Sequence, residues 1–279
     1  MADVLRILAF GAHPDDCDLM VGGLAIKYAR LGHGVKLVAM CNGNAGHHVM
    51  GGGPLAQRRY AEAQRSAVIA SAGASGRVEY VVLDIPDCQL MPTLENRWTV
   101  VSMIREFQAD LVITNRPNDY HPDHRYASQL VQDAAYTVTV PNVMALTPHL
   151  SHNPVFAFWS DNFQRPYPFT PDVAIAIDDV LETKLDMLQC HESQMFEWLP
   201  YNHNILDQVP ANPAERRSFL AKHWLPRMER EAERGRDLLK QLYGEGRGGL
   251  VRHAECLEYC EYGSHVDEGM FRRLFPFFA

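Results

Sequence analysis

His13, Asp15, Asp16 and Asp18 crowd into "GAHPDDCD" (residues 11–18), and His121, Asp123 and His124 crowd into "HPDH" (121–124). Each cluster follows an apolar run, and each carries the same His-Pro-Asp device. Imidazoles and carboxylates together suit a hard-to-borderline divalent cation such as zinc. Three protein ligands would leave a position open for water, the pattern of a catalytic site rather than a closed structural one. Read alone, the first cluster has a plainer meaning, with His13 as a cap-like residue, Pro14 as the first residue of a helix, and Asp15 and Asp16 as acids that complement its dipole. Repetition of the device weighs against that plain reading. Anionic phosphate would be repelled by so many acids, which disfavours a dinucleotide site.

For two clusters so distant in sequence to meet, the elements between them must fold in a particular order. Strand-like runs stand at 5–10, 35–40, 78–83 and 110–114, and helical patterns between them at 19–32, 55–73 and 94–109. This alternation predicts an α/β fold of Rossmann-like type, a mostly parallel twisted sheet flanked by helices. With strands ordered 3-2-1-4, the first and fourth are neighbours, and both clusters face the crevice outside their C-terminal ends, where such folds bind ligands. A further helix is expected over 125–136, strands over 155–160 and 172–177, helices over 178–191 and 214–243, and an edge strand in "CLEYCEY" (256–262). One domain over 1–279 is expected, with a Rossmann-like core over about 1–140 and C-terminal α/β elaborations over about 141–279.

The glycine-rich stretch "CNGNAGHHVMGGGP" (41–54) follows the second strand, whereas phosphate-cradling loops usually follow the first and open a helix directly. It reads as a lid or mouth loop, with His47 and His48 at its centre. The long charged helix expected over 214–243 reads as a solvated or subunit-contacting element. The aromatic end "LFPFF" (274–278) would be awkward if exposed, and packing in a homo-oligomer is one way to cover it.

Composition narrows the partners. Lys+Arg number 26 against 34 Asp+Glu, a net charge of −8, with no basic run, which excludes a nucleic-acid partner. A strongly anionic substrate would need a local cation, for which Arg59 is the candidate. The six cysteines form no CxxC pair and suit reduced thiols. The N-terminal apolar stretch is too short for a signal segment or a membrane span, so a cytoplasmic protein with no membrane partner is expected.

"AHPDDCD" followed by "GG", with "HPDH" downstream, resembles the PIG-L/LmbE-like family of zinc-dependent N-acetylglucosamine N-deacetylases. "RRYAEA" (58–63), "LDIPDCQL" (83–90), "KLDMLQCHESQ" (184–194) and "EYCEYG" (258–263) extend the likeness over nearly the whole chain. The resemblance implies hydrolytic removal of an N-acetyl group from an N-acetylglucosamine-containing small molecule or glycoside. It implies His13, Asp16 and His124 as ligands of Zn2+ (Fe2+, Mn2+ or Co2+ being other choices), Asp15 as general base and His121 as a residue that steadies the transition state. Arg59, Asp87, His191 and His265 become candidates for binding substrate, with Gln194 one helical turn from His191, and Asp18 and Asp123 for supporting the ligands. The commonest family motif ends in an acid where this chain has Cys17, with Asp18 one place later. Cys17 is therefore read as a packed thiol. Two alternatives stay open: an amidase for another amide, such as a thiol-sugar conjugate, and a catalytically inactive metal- or sugar-binding module.

Overall fold

The computed structural model describes residues 4–278. Five strands, β1 (Arg6–Gly11), β2 (Gly34–Cys41), β3 (Arg77–Ile85), β4 (Leu111–Thr114) and β5 (Val155–Trp159), alternate with α1 (Asp16–Arg30), α2 (Gly52–Ala70), α3 (Leu94–Phe107) and α4 (Pro122–Thr137). They are followed by β6 (Val173–Ala176), α5 (Leu181–Cys190), the short α6 (Leu199–Asn202), α7 (Pro213–Arg234), α8 (Arg236–Tyr243), α9 (Glu245–Leu250), β7 (Ala254–Cys260) and α10 (Glu268–Leu274). The seven strands form one sheet in the order β3-β2-β1-β4-β5-β7-β6, parallel throughout except that β7 runs antiparallel to both neighbours. The expected Rossmann-like α/β architecture is therefore present, and β1 pairs directly with β4, from Ile7 opposite Leu111 to Phe10 opposite Thr114.

Alternation along β1 builds a core on each face of the sheet. Ile7 and Ala9 pack with residues of α1, α2 and α5, whereas Leu8 and Phe10 pack with residues of α3 and α4. Each such large side chain, fully buried, contributes roughly 1.5–3 kcal/mol. Parallel pairing with helices on both faces explains why these strands read as unbroken apolar runs. It also aligns every β-to-α connection of the parallel set at one edge of the sheet.

Three expectations need correction. The strand at "CLEYCEY" is not at an edge, since β7 lies between β5 and β6. Its polar letter Glu258 misled because it is held within the fold, accepting the Thr170 amide at 2.9 Å and lying 3.6 Å from Arg116 Nε. The strand also starts earlier than expected, at Ala254, and its Glu255 is buried, accepting the Gly23 and Leu24 amides and pairing with Lys184 Nζ at 2.5 Å. The helix expected over 214–243 is two helices that break at Gly235, where a side-chain Cβ would stand 2.6 Å from Ala174 Cβ in β6. The aromatic tail needs no neighbouring subunit. Phe275 is fully buried, Phe277 stacks edge-on against Tyr28, and Phe278 stacks on Phe271 of the same chain. No helix among the described residues is long and apolar enough to cross a membrane.

The Lys184–Glu255 pair ties α5, α1 and β7 together beneath the site, with both side chains buried. Removing one partner leaves an uncompensated buried charge. Lys184→Met is expected to destabilise the fold by about 3–5 kcal/mol, read as a fall in the urea midpoint at unchanged m-value.

Candidate active site

After Gly11 the chain turns sharply, and the Asp16 side chain folds back on the turn. Its Oδ2 accepts the backbone N–H groups of Ala12 at 2.8 Å and His13 at 2.9 Å. Gly11 is required beneath it, because a Cβ there would come within 2.7 Å of Asp16 Cβ. Helix α1 begins only at Asp16, and neither His13 nor Asp15 caps it with a side chain, so the plain helix-cap reading fails. Across the crevice, α4 begins at Pro122 with His121 as its N-cap, the Asp123 amide donating to His121 Nδ1 at 3.2 Å. That bond leaves the His121 proton on Nε2.

His13, Asp16 and His124 converge as the sequence suggested. His13 Nδ1 and His124 Nε2 are 3.3 Å apart, His124 Nε2 lies 3.5 Å from Asp16 Oδ2, and His13 Nδ1 lies 3.7 Å from the same oxygen. Tetrahedral ligands held about 2.0–2.1 Å from zinc stand roughly 3.3 Å from one another, so the triangle fits a divalent cation with little adjustment. Both imidazoles are oriented from behind by carboxylates. His13 Nε2 is 3.3 Å from Asp123 Oδ2, and His124 Nδ1 is 3.2 Å from Asp119 Oδ1. A proton on each of those nitrogens leaves the inward nitrogen of each ring with a lone pair for metal.

Two other His/Cys/Asp groupings share His13, and chemistry argues against both. In the first, Cys41 is buried, and burial with Asp123 and Asp87 nearby pushes its thiol pKa far up, which disfavours the thiolate a metal needs. In the second, His121 Nδ1 accepts the Asp123 amide at the α4 cap, and the Asp123 carboxylate accepts the Cys88 amide at 2.6 Å through the same Oδ2 that faces His13 Nε2.

The site is electrostatically prepared for a cation. Burial works against a charged His124, yet Asp16 and Asp119 outweigh it and raise its pKa to about 9. Burial alone would raise Asp16, but His124, His13 and the two backbone amides outweigh it and hold the carboxyl below its ordinary value. Asp15 behaves oppositely. Its pKa is raised by burial in spite of the Arg59 guanidinium, whose Nη2 donates to Asp15 Oδ1 at 2.6 Å. Burial, helped by the neighbouring His13 and His124, lowers His121 and favours its neutral ring.

His13, Asp15, Asp16, Asp119, His121 and His124 line one cavity of about 450 Å3 at the C-terminal edge of the parallel strands, while Asp123 and Cys41 lie outside its lining. The substrate-binding candidates fare differently. Arg59 lines the cavity, but its guanidinium is buried against Asp15 and near Asp87, so it positions the carboxylate. Asp87 is also in the lining, with its oxygens taken up by the amides of Gly43, Ala45 and Gly46, which anchors the glycine-rich loop over the site. Gly43 has φ +78° and a Cβ there would meet Arg59 Cδ at 2.5 Å, so that bend admits only glycine.

His191 is corrected as a substrate contact: it is wholly buried outside the cavity lining, with Nε2 3.2 Å from Asp18 Oδ1. His265 is corrected as well, since β7 runs antiparallel and its exit loop lies beside Pro154 and Phe156 at the opposite edge of the sheet. Asp18 lies outside the cavity lining, wholly buried, accepting Ser66 Oγ and facing His191, with none of His13, Asp16 or His124 among these partners. Cys17 is packed, its Sγ directed at the Ala9 and Val38 carbonyls.

Of the wall residues, Gln194 is singled out in the sequence through its spacing from His191, whereas most of the others are not. Gln194 and Trp198 both reach the cavity from a wide helical turn (Gln194–Trp198), and Gln194 Nε2 donates to the Gly46 carbonyl. His47 and His48 fasten the glycine-rich loop to this segment, through Glu197 at 2.7 Å and a 4.3 Å stack on Tyr201. Asn115, Arg116, Trp159, Ser160 and Arg227 complete the far wall, and no motif spacing marked them. Asp119 was findable: it stands just before "HPDH", where a carboxylate behind a ligand imidazole is expected. Asp119→Asn is expected to weaken zinc affinity by about 10–100-fold, read by competition with a chromophoric chelator, and an unchanged affinity would remove Asp119 from this role.

Comparison with known proteins gives the setting. The family model described as "PIG-L: GlcNAc-PI de-N-acetylase" matches residues 8–135. A diacetylchitobiose deacetylase of Thermococcus kodakarensis is 32% identical over 219 residues, 73% of this chain and 77% of that protein. The fold matches the structure of N,N'-diacetylchitobiose deacetylase from Pyrococcus horikoshii with a TM-score of 0.68 at 23% identity, covering 93% of this chain and 85% of that one. It also matches GalB, the 4-carboxy-2-hydroxymuconate hydratase of Pseudomonas putida, with a TM-score of 0.70 at 18% identity over 95% and 99% of the two chains. The paired His-Pro-Asp motifs, the strand order that joins them and the likeness to the Thermococcus enzyme lead to one conclusion: the chain belongs to the PIG-L family of de-N-acetylases.

Proposed function

We propose that the protein is a zinc-dependent hydrolase that removes the N-acetyl group from an N-acetylglucosamine-containing small molecule or glycoside, releasing acetate and a free amine. The observation that carries the reading is the inward triangle of His13 Nδ1, Asp16 Oδ2 and His124 Nε2 beside a buried Asp15 carboxylate. Family membership supports the reaction class, and the relatives named above as diacetylchitobiose deacetylases support a sugar substrate. Iron, manganese or cobalt would accept the same donors. The six unpaired thiols suit a reducing compartment such as the cytoplasm.

His13, Asp16 and His124 would hold the cation. Bound there, it supplies Lewis acidity, which lowers the pKa of a coordinated water toward ~7 and polarises the amide carbonyl. Asp15, its proton affinity raised by burial, takes the proton of the attacking water, while Arg59 fixes the direction of its carboxylate. His121 offers its Nε2–H to the oxyanion that develops as the carbonyl carbon becomes tetrahedral. As the C–N bond breaks, the proton held by Asp15 passes to the departing nitrogen. Asp87 and Gln194 keep the glycine-rich loop against the cavity, which limits access of bulk water.

Amine release from N,N'-diacetylchitobiose, measured beside bound zinc, tests this assignment. Asp15→Asn is expected to retain the metal and lose at least about 10²-fold in kcat, and His121→Ala to lose about 10²–10³-fold. His124→Ala is expected to lose the metal. An Asp15→Asn variant as active as the parent would defeat the assignment, and metal without turnover on any acetamide would favour the binding-module alternative.

A further inference from the structure

Three arginines line the cavity, and the structure compensates two of them. Arg59 is paired with Asp15. Arg116 donates from Nη1 to Asp161 Oδ1 at 2.9 Å and from Nη2 to the Tyr167 carbonyl, and its Nε lies 3.6 Å from Glu258. Arg227, on α7, has only the Ser160 carbonyl, 3.1 Å from Nη2, and no carboxylate within ion-pair distance among the described residues. Its neighbour Glu231 is engaged by Arg234 at 3.0 Å. Burial pulls the Arg227 pKa below the ordinary arginine value, and the nearby Arg230 and Arg234 add to the effect, although Glu231 and Asp161 act against it from beyond ion-pair distance. A half-buried guanidinium that faces a cavity with no ion-pair partner of its own is available to an anion that enters it.

Its surroundings fit an anionic ligand. Ser160 stands beside it at the C-terminal end of β5, one strand beyond β4 and away from Asp16 on the β1 side. Asn115 shares this wall and carries a buried Oδ1 with no partner, an acceptor that a ligand hydroxyl would satisfy. Asp161, the carboxylate on the same stretch, is paired through Oδ1 with Arg116, and its buried Oδ2 has no hydrogen-bond partner among the described residues.

We infer that Arg227 selects substrates carrying an acidic group, a carboxylate or a phosphate, at a distance from the amide that is cleaved. The inference rests on the reading of the cavity as an acetamide-hydrolysing site. It moves the role of local cation from Arg59, which is engaged by Asp15, to a residue that no motif marked. The guanidinium fork suits bidentate pairing with either anion.

The test compares neutral N-acetylglucosamine with N-acetylglucosamine 6-phosphate and N-acetylmuramic acid, which carry a phosphate and a carboxylate. Both kcat/KM for amine release and the calorimetric Kd of each compound are measured on the zinc-loaded protein and on Arg227→Gln and Arg227→Lys. The parent is expected to favour at least one anionic compound by roughly 10–100-fold, the scale of a hydrogen bond to a charged group, and the better anion identifies the source. In Arg227→Gln that ratio should fall to near one, with partial recovery in Arg227→Lys. A parent ratio of one or less for both anions would overturn the inference. So would Arg227→Gln lowering all three compounds alike, the result of a merely structural role. Absence of amine release from every compound would count against the hydrolase reading, while the Kd ratios would still decide the role of Arg227.

Discussion

Everything at this site depends on the Asp16 carboxylate being turned back onto the amides of Ala12 and His13. Those two hydrogen bonds close the turn at the end of β1, fix the direction in which His13 leaves it, and set one carboxylate oxygen as the common vertex for both imidazoles. The arrangement is possible only because β1 pairs with β4, so that the start of α4 delivers His124 to the same point. A sheet of any other order would leave two short acidic motifs at unrelated places. Strand adjacency is thus a condition for the chemistry as well as for the core.

Around that vertex the acids divide into different tasks according to what each one touches. Asp119 and Asp123 stand behind the imidazoles and fix their tautomers. Asp16 is stabilised as an anion by amide hydrogens and imidazoles, whereas Asp15 has one arginine and a buried setting that raises its proton affinity. Two adjacent aspartates are pushed in opposite directions by their environments, which suits one to holding a cation and the other to exchanging a proton. Asp87 takes a third task, replacing a ligand as the anion that gathers the loop amides of Gly43, Ala45 and Gly46.

The centre of the site was legible in the sequence because its chemistry is written in short motifs at the ends of two apolar strands, and periodicity located those strands to within a residue or two. What escaped has a common physical origin. His191 and Gln194 are three residues apart, yet α5 ends at Cys190 and a wide turn follows, so one side chain is buried against Asp18 and the other reaches the cavity. His265 looked like a late addition to the site until the antiparallel course of β7 carried it to the other edge of the sheet. Glu258 made an inner strand resemble an edge, because its partners Thr170 and Arg116 are far away in sequence. Arg227 and Ser160 belong to a wall assembled from α7 and β5, and such tertiary pairings leave no local pattern to read.

The central claim is that His13, Asp16 and His124 form the metal site to the exclusion of the nearby thiols. An X-ray absorption spectrum at the zinc edge of the zinc-loaded protein tests it directly. The account predicts a first shell made only of nitrogen and oxygen at about 2.0–2.1 Å, with the outer-shell signature of two imidazoles. A sulfur scatterer at about 2.3 Å, which would place Cys41 or Cys88 on the metal, would contradict it.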